Sequence, residues 1–417
     1  MGKNTKLAGQ PVICQLLSFI PSFLVDKAVE IHESDKHYST MKTYKQMVFM
    51  LYGVISKCTS LNSLCKNLLF LEDKLTYVGI NKLPPTSTLS DANINRDSEV
   101  FATLYNFLYK HYRDKLAPDE CCLMLGKDLK DKKIDIIDSS TISLFVDVFK
   151  GAGRNPINGK KKGGLKVHAK LPLGGFVPDL VTLSDASCND KTYLGQLEAE
   201  PGTIYIYDKG YANYRKWAEW DSLGAFFVTR LNENATVKVL QGNPNHISEY
   251  ADGGIISDQI IELNSPGTIL KARLIVYKDP ESGKVLKFVS NMFVFDALTI
   301  VQLYKYRWNI ELLFKRLKQN FGLAYFYSDS TEGIKTQVWM ALIANLIFSV
   351  IHKLCKEAEM FTTLVSMAAN NMGSYVSLIK IVTTRQLAET ERDLKIVQLT
   401  IFDMLKGGLL RNVNKSP

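Results

Sequence analysis

The chain has 417 residues, a net charge of +9 and an isoelectric point near 8.9. Hydrophobic residues at 46% beside 22% charged ones mark a globular chain with ample core, and the length points to about two or three folding units. Seven cysteines at irregular spacing exclude a disulfide framework, while the positive balance favours a polyanionic partner.

The opening MGKNTKLAGQ lacks the apolar core of a signal peptide, and a reducing cytoplasm is the expected compartment. Residues 1 to about 115 read as helical throughout. Pro11 starts a first helix through QLLSFI, and Pro21 restarts the chain. Between Thr40 and Lys57, Tyr44, Met47, Val48, Leu51 and Ile55 recur at amphipathic spacing. Ser60 is the expected cap of LNSLCKNLLFL. Gly79 and Pro84–Pro85 then break the chain. Thr86 or Ser87 caps STLSDANINR, and Val100 to Tyr112 forms a last helix. A helix, a turn with Gly and Pro, and a short polar helix make a loose helix-turn-helix pattern. Plain helical packing explains the same periodicity.

The linker APDECCLMLGKDLKDKK is mixed and charged, and its Cys121–Cys122 pair, with no Cys or His nearby, is a poor zinc site. The character changes at Lys133 to Asp138, a β-branched strand ending in an acid and followed by SSTISL. An Asp at the end of a buried strand sits where open α/β sheets build their sites; a strand-ending turn Asp is the plain alternative. The loop GRNPINGKKKGG, with Lys160, Lys161 and Lys162, suits a phosphate backbone or simply solvent. Leu165–Lys170 and Phe176–Leu183 flank PLGG as a hairpin, with His168 a packed strand residue. Lys191 to Ala199 reads as a helix, and Thr203 to Tyr207 as a second apolar strand that ends at an acid, Asp208 in DKGY. Gly210 turns the chain into the helix YANYRKWAEW, with N-capping by Asp208 as the competing reading. Ala225 to Leu231, which carries Arg230, is a further strand. Asn232 to Val294 is rich in Val, Ile, Thr and Gly, has turns at GNPN, DGG, NSPG and DPESGK, and reads as all-β.

Thr299 to Phe321 has no Pro or Gly and its apolar residues recur at helical spacing. Tyr304, Arg307, Glu311, Lys315 and Lys318 share an arc of about 80° on one helix. This sets one carboxylate among cations and a phenol, a set able to combine metal binding with phosphate binding. A solvated helix laced with Glu–Lys pairs has the same spacing. Further on, Val338 to Ile351 is the most apolar run; it is too short to span a bilayer, contains Asn345 and reads as a buried helix. Phe361–Ala369, Tyr375–Val382 and LAETERDLKIVQLTIFDML follow as amphipathic pieces.

Tyr304, Arg307, Glu311 and Lys318 reproduce the Tyr-x2-Arg-x3-Glu-x6-Lys signature of the IS-four group of bacterial insertion-sequence transposases. The surrounding YRWNIELLFKRLKQNFGL, with Trp308, Phe314 and Gln319 in place, resembles that group nearly residue for residue. The resemblance implies a DDE transposase with Asp138, Asp208 and Glu311 as its catalytic acids. DKGY stands where the group carries Asp-Arg-Gly-Tyr, Lys209 replacing the Arg. It further implies an α/β fold: a ribonuclease-H-like mixed sheet over about 116–345, interrupted by a β insertion at about 232–294. In relatives that insertion handles the DNA terminus, in part through a Trp that stacks on a flipped base. No Trp lies here between Trp220 and Trp308, which leaves Tyr250, Tyr277 and Phe288 as stacking candidates. SLNSLCKNL and STLSDAN resemble the N-terminal domain of one branch of the group. That implies a transposon-end-binding domain over 1–115, with Ser87, Thr88, Ser90, Asn93 and Arg96 as contacts. The helical tail 346–417 would then serve dimerisation or cover the sheet.

Three hard carboxylates suit Mg2+ or Mn2+ as metal ligands, and two such ions about 4 Å apart serve in-line phosphoryl transfer. Tyr304, Arg307, Lys315 and Lys318, with Arg230 and the lysines 160–162, would hold DNA. The implied partners are double-stranded DNA, both transposon ends and target, and a second copy in a homodimer, with no membrane. The implied place is the bacterial cytoplasm, at the nucleoid when bound to DNA. A nuclease of the same fold that only hydrolyses, or a transposase-derived DNA-binding protein without chemistry, are the alternatives.

Overall fold

The structure, a computed structural model, describes residues 9–117, 129, 132–143, 164–242, 254–354 and 360–378. The chain falls into two compact units, one formed by Met1–Ala117 with Lys315–Pro417 and the other by Pro118–Phe314.

The first unit opens with seven helices: α1 (Val12–Leu17), α2 (Ser22–His32), α3 (Thr43–Ile55), α4 (Leu61–Leu69), α5 (Glu72–Leu75), α6 (Thr86–Asn95) and α7 (Glu99–Leu116). Pro11 and Pro21 stand at the N-caps of α1 and α2, where a missing N–H costs nothing. The Ser60 hydroxyl accepts from the Ser63 N–H and caps α4 as expected. Neither Thr86 nor Ser87 caps α6. The helix starts directly after Pro85, with no side-chain cap bond. Gly53 marks a close approach between helices in this unit. A Cβ there would lie 2.3 Å from Leu64 Cδ1 and 2.9 Å from Tyr327 Cε2, so the absent side chain is what lets α3 and α4 close up.

The second unit is built on one nine-stranded sheet, in the order β3-β2-β1-β4-β5-β9-β8-β7-β6. Its elements in chain order are β1 (Ile134–Ser143), β2 (Gly164–Pro172), β3 (Leu180–Asp185), α8 (Asp190–Gln196), β4 (Ile204–Tyr207), α9 (Tyr214–Ser222) and β5 (Phe226–Arg230). After them come β6 (Val237–Gly242), β7 (Ile255–Ser265), β8 (Thr268–Lys278), β9 (Val285–Ser290), α10 (Ala297–Lys305) and the first half of α11 (Trp308–Asn320), whose residues from Lys315 on are counted in the first unit. β1, β4 and β5 run parallel, β2 lies antiparallel between β1 and β3, so that β3 runs in the direction of β1, and β9 is antiparallel to β5. β6 to β9 therefore continue the same sheet. α9 packs Trp217 and Trp220 against Tyr205, Tyr207 and Phe227; this aromatic layer is fully buried and fixes the end of β4 from below.

The Thr299–Phe321 stretch is two helices rather than one. α10 ends at Lys305 and α11 starts at Trp308. Between them Tyr306, Arg307, Asn309 and Ile310 bond back three residues instead of four, a tighter 3₁₀ turn in which side chains three apart eclipse.

The chain closes the first unit with α12 (Thr331–Leu354) and α13 (Phe361–Asn370). α12 is longer than its apolar run implied. By length and composition it is able to cross a bilayer, yet 94% of its apolar window is buried inside the unit, against α3, α6, α7 and α13.

Candidate active site

Two aspartates meet through strand register. β1 and β4 are parallel with Ile137 opposite Tyr207, so Asp138 and Asp208 follow at the same level on neighbouring strands. β4 stops there. β1 runs on past Asp138, where the sequence pattern placed its end, because β2 goes on pairing with it as far as Ser143 opposite Gly164. Asp138 thus sits inside a strand, at the point where its parallel neighbour ends. Asp208 stands before the 3₁₀ turn Lys209–Tyr211, and its side chain makes no capping bond. That leaves the carboxylate to other donors.

Those donors come from the helix break. The Tyr304 hydroxyl donates to Asp208 Oδ1 at 3.1 Å. Arg307 Nη1 donates to Asp138 Oδ2 at 2.7 Å, and Nη2 to Glu311 Oε1 in the first turn of α11. The Ser139 N–H supplies Asp138 Oδ1 at 2.8 Å. The 3₁₀ turn eclipses Tyr304 and Arg307, with the guanidinium 5.9 Å from the centre of the Tyr304 ring. Two consecutive signature residues therefore hold all three carboxylates.

The site is shielded but not sealed: the Asp138, Arg307 and Glu311 side chains are 15%, 19% and 35% exposed. Burial pushes the Asp138 carboxyl up to about 6; the Ser139 N–H and Arg307 pull it down, while Asp208 and Glu311 push it further up. Burial opposes the charge on Arg307, but Asp138, Tyr304 and Glu311 outweigh it and raise its pKa. Burial and then Asp208 raise Tyr304, which stays a neutral donor. Among the described residues no three acid, His or Cys side chains are disposed to close on a metal ion as they stand. Arg307 reaches between Asp138 and Glu311 instead. The donor set itself, three hard carboxylates with a surplus of negative charge over one guanidinium, is of the kind that divalent ions take.

Residues 130–347, more than half of the chain, match the family described as the transposase DDE domain. The chain belongs to that family. It stands among the DDE transposases of insertion sequences, as its Tyr-Arg-Glu-Lys signature implied. Residues 8–81 match a domain of unknown function. A putative transposase, y4zB, of Sinorhizobium fredii is 30% identical over 275 residues, 65% of this chain and 72% of its own length. The transposase of insertion sequence IS231B from Bacillus thuringiensis is 22% identical over 66% of this chain and 68% of its own. The piggyBac transposase, in its synaptic complex with hairpin DNA, superposes at a TM-score of 0.46 with 12% identity, covering 100% of this chain and 87% of that one.

The other residues singled out in this transposase have different surroundings. Arg230 ends β5 opposite Phe288, and its charge reaches Tyr304. Lys315 and Lys318 are exposed further along α11. Lys160, Lys161, Lys162 and Tyr250 lie outside the described residues. Four of the remaining expectations, Arg96, Asn93, Tyr277 and Phe288, need correction. Arg96 is 2% exposed, donates to the carbonyls of Ser34 and Met41 and to Gln46, and stacks on Tyr38; it is a core strut and not a DNA contact. Asn93 is buried and bonded to Gln46. Ser87 is exposed, with Thr88 and Ser90 half-buried. Tyr277 and Phe288 are also buried, so neither has a face for a base. Phe288 instead packs 5.1 Å from the Tyr304 ring and supports it. The aromatic that the sequence reading passed over is Trp308, 58% exposed and adjacent to Arg307; its place in the signature was the available signal.

Proposed function

We propose that this transposase cuts DNA at transposon ends and joins the freed 3′ ends to target DNA, with Asp138, Asp208 and Glu311 as its metal ligands. The observation that carries the reading is the convergence of three carboxylates, from β1, the exit of β4 and α11, on Tyr304 and Arg307. A purely structural ion pair needs one acid for one arginine; here there are three, and their mutual repulsion calls for more positive charge than Arg307 supplies. Mg2+ or Mn2+ bound there would activate a water or a 3′-hydroxyl and stabilise the leaving oxygen of an in-line displacement.

The protein's own groups do the rest. Arg307 offers a planar fork that exchanges carboxylates for phosphate oxygens without changing its geometry. Tyr304 stays protonated and donates. Arg230, Lys315 and Lys318 add positive charge for the flanking phosphates. The strand order β3-β2-β1-β4-β5 with its parallel centre supports a ribonuclease-H-like core, and β6 to β9 are then the β insertion that handles the DNA terminus. Residues 1–115 would bind the transposon end and a second copy would complete the synaptic complex.

The test is a cut-and-join assay on an end duplex plus target DNA. Asp138→Asn, Asp208→Asn and Glu311→Gln are each expected to bind ends and do neither step. Hydrolysis by the parent protein without any joined product would point to a nuclease instead.

A further inference from the structure

A fourth carboxylate touches the supports of both aspartates. Asp190, the first residue of α8, accepts from Ser139 Oγ at 2.9 Å and from Lys166 Nζ at 2.8 Å. Ser139 is the residue whose N–H fixes Asp138 Oδ1. The other Asp190 oxygen lies 3.5 Å from where a side chain on Gly210 would begin, and Gly210 is in the turn that directly follows Asp208. Lys166 also donates to the Cys188 carbonyl at 3.2 Å, so its ammonium ties Asp190 to β2 and to the loop ahead of α8.

A second layer holds this group from behind. His168 Nδ1 is 3.7 Å from Asp190 Oδ1 and 3.4 Å from the Tyr211 hydroxyl, and its Nε2 is 3.0 Å from Ser184 Oγ. Its ring stacks on Tyr193 at 4.4 Å. Burial, and then Lys166, push its pKa down to about 4 against the pull of Asp190, so it is a neutral spacer. Tyr211 belongs to the same turn as Gly210.

We propose that Asp190 is a positioning residue for Asp138 and Asp208: it grips Ser139 on one strand and abuts the Gly210–Tyr211 turn beyond the other, so the two carboxylates keep one separation and orientation. The inference rests on the metal-ligand reading of that pair. The charge on Asp190 matters as well as its shape. An amide there still accepts from Ser139 but leaves the Lys166 ammonium, whose side chain is 13% exposed, without its counter-charge. Partners that orient metal ligands are worth about 10–100-fold in metal affinity.

The experiment measures Mn2+ binding to the full chain by calorimetry, with end binding and cleavage alongside. Asp190→Ala is expected to weaken Mn2+ binding about tenfold or more, to bind end DNA as the parent does, and to recover cleavage as the metal concentration is raised. Asp190→Asn should fall between the two. Ser139→Ala, which removes only the hydroxyl link, should also lose metal affinity. The double variant Asp190→Ala/Ser139→Ala should lose no more than Asp190→Ala alone, because both act through one contact. Unchanged Mn2+ affinity in the single variants, or losses that simply add, overturns the positioning role and leaves the metal reading standing. If Asp190→Ala does not fold, Ser139→Ala decides the matter by the same criterion. If Asp138→Asn and Asp208→Asn bind Mn2+ and cleave like the parent, it is the metal reading that fails.

Discussion

Arg307 Nη1 lies 2.7 Å from Asp138 Oδ2 while its other amino group binds Glu311, so a single cation stands between two of the three acids. An ion that uses both carboxylates must displace the guanidinium, and a phosphate is the natural acceptor for it to move to. Metal loading and phosphate binding are then expected to favour one another. Arg307→Ala should cost the metal-free protein about 1–3 kcal/mol, the price of leaving partly buried carboxylates without a donor. It should gain more stability from added Mn2+ than the parent does, because no internal cation competes. Urea denaturation with and without Mn2+ checks this; equal metal increments in the two proteins would rule out the competition.

The Asp138 carboxyl titrates near 6, above the usual aspartate value, and the sign follows. A group whose folded pKa is raised favours the folded state below its unfolded pKa and loses that contribution as pH rises through the folded value. The metal-free protein should therefore lose stability between about pH 4 and pH 7, and Asp138→Asn should flatten that part of the profile. At pH 8 the Asn variant should be the more stable of the two. Thermal melts in chelator across this range test it, and parallel profiles for the two proteins would contradict it.

Exposed and buried cations should part company in DNA binding. Lys318→Ala should leave stability nearly unchanged and flatten the dependence of log K on log salt by roughly 0.9 for duplex DNA. Arg96→Ala should instead cost about 3–5 kcal/mol, because it strands buried acceptors that the guanidinium now satisfies, and should leave the salt slope of the folded protein as it was. Salt-titrated binding to end DNA, paired with denaturant melts, separates the two. A changed slope for Arg96→Ala would return it to the DNA surface.

Gly53→Ala tests a close helix contact. Helix propensity favours Ala by about 1 kcal/mol, but the new methyl meets Leu64 and Tyr327 inside contact distance, and overpacking costs about 1–3 kcal/mol. A net loss is expected, partly recovered by adding Leu64→Ala. A net gain in the single variant would mean that this contact relaxes freely.

Local patterns were enough to read the order of the elements and the acids they carry. KIDIID and TIYIY are short, largely apolar β-branched or aromatic runs, and each delivers an Asp where its run ends. The signature from Tyr304 to Lys318 is a fixed set of spacings that needs no partner to be recognised. The tertiary structure decided what those spacings leave open. The parallel register of β1 and β4 brings Asp138 level with Asp208, and no local pattern encodes a register between segments so far apart. No Pro or Gly marks the break at Tyr306–Arg307, so helical spacing alone reads straight through it. Arg96, Asn93, Tyr277 and Phe288 have polar or aromatic side chains that suit a DNA surface equally well. Whether such a side chain faces solvent depends on which other element covers it, and that is fixed only when distant parts of the chain pack together.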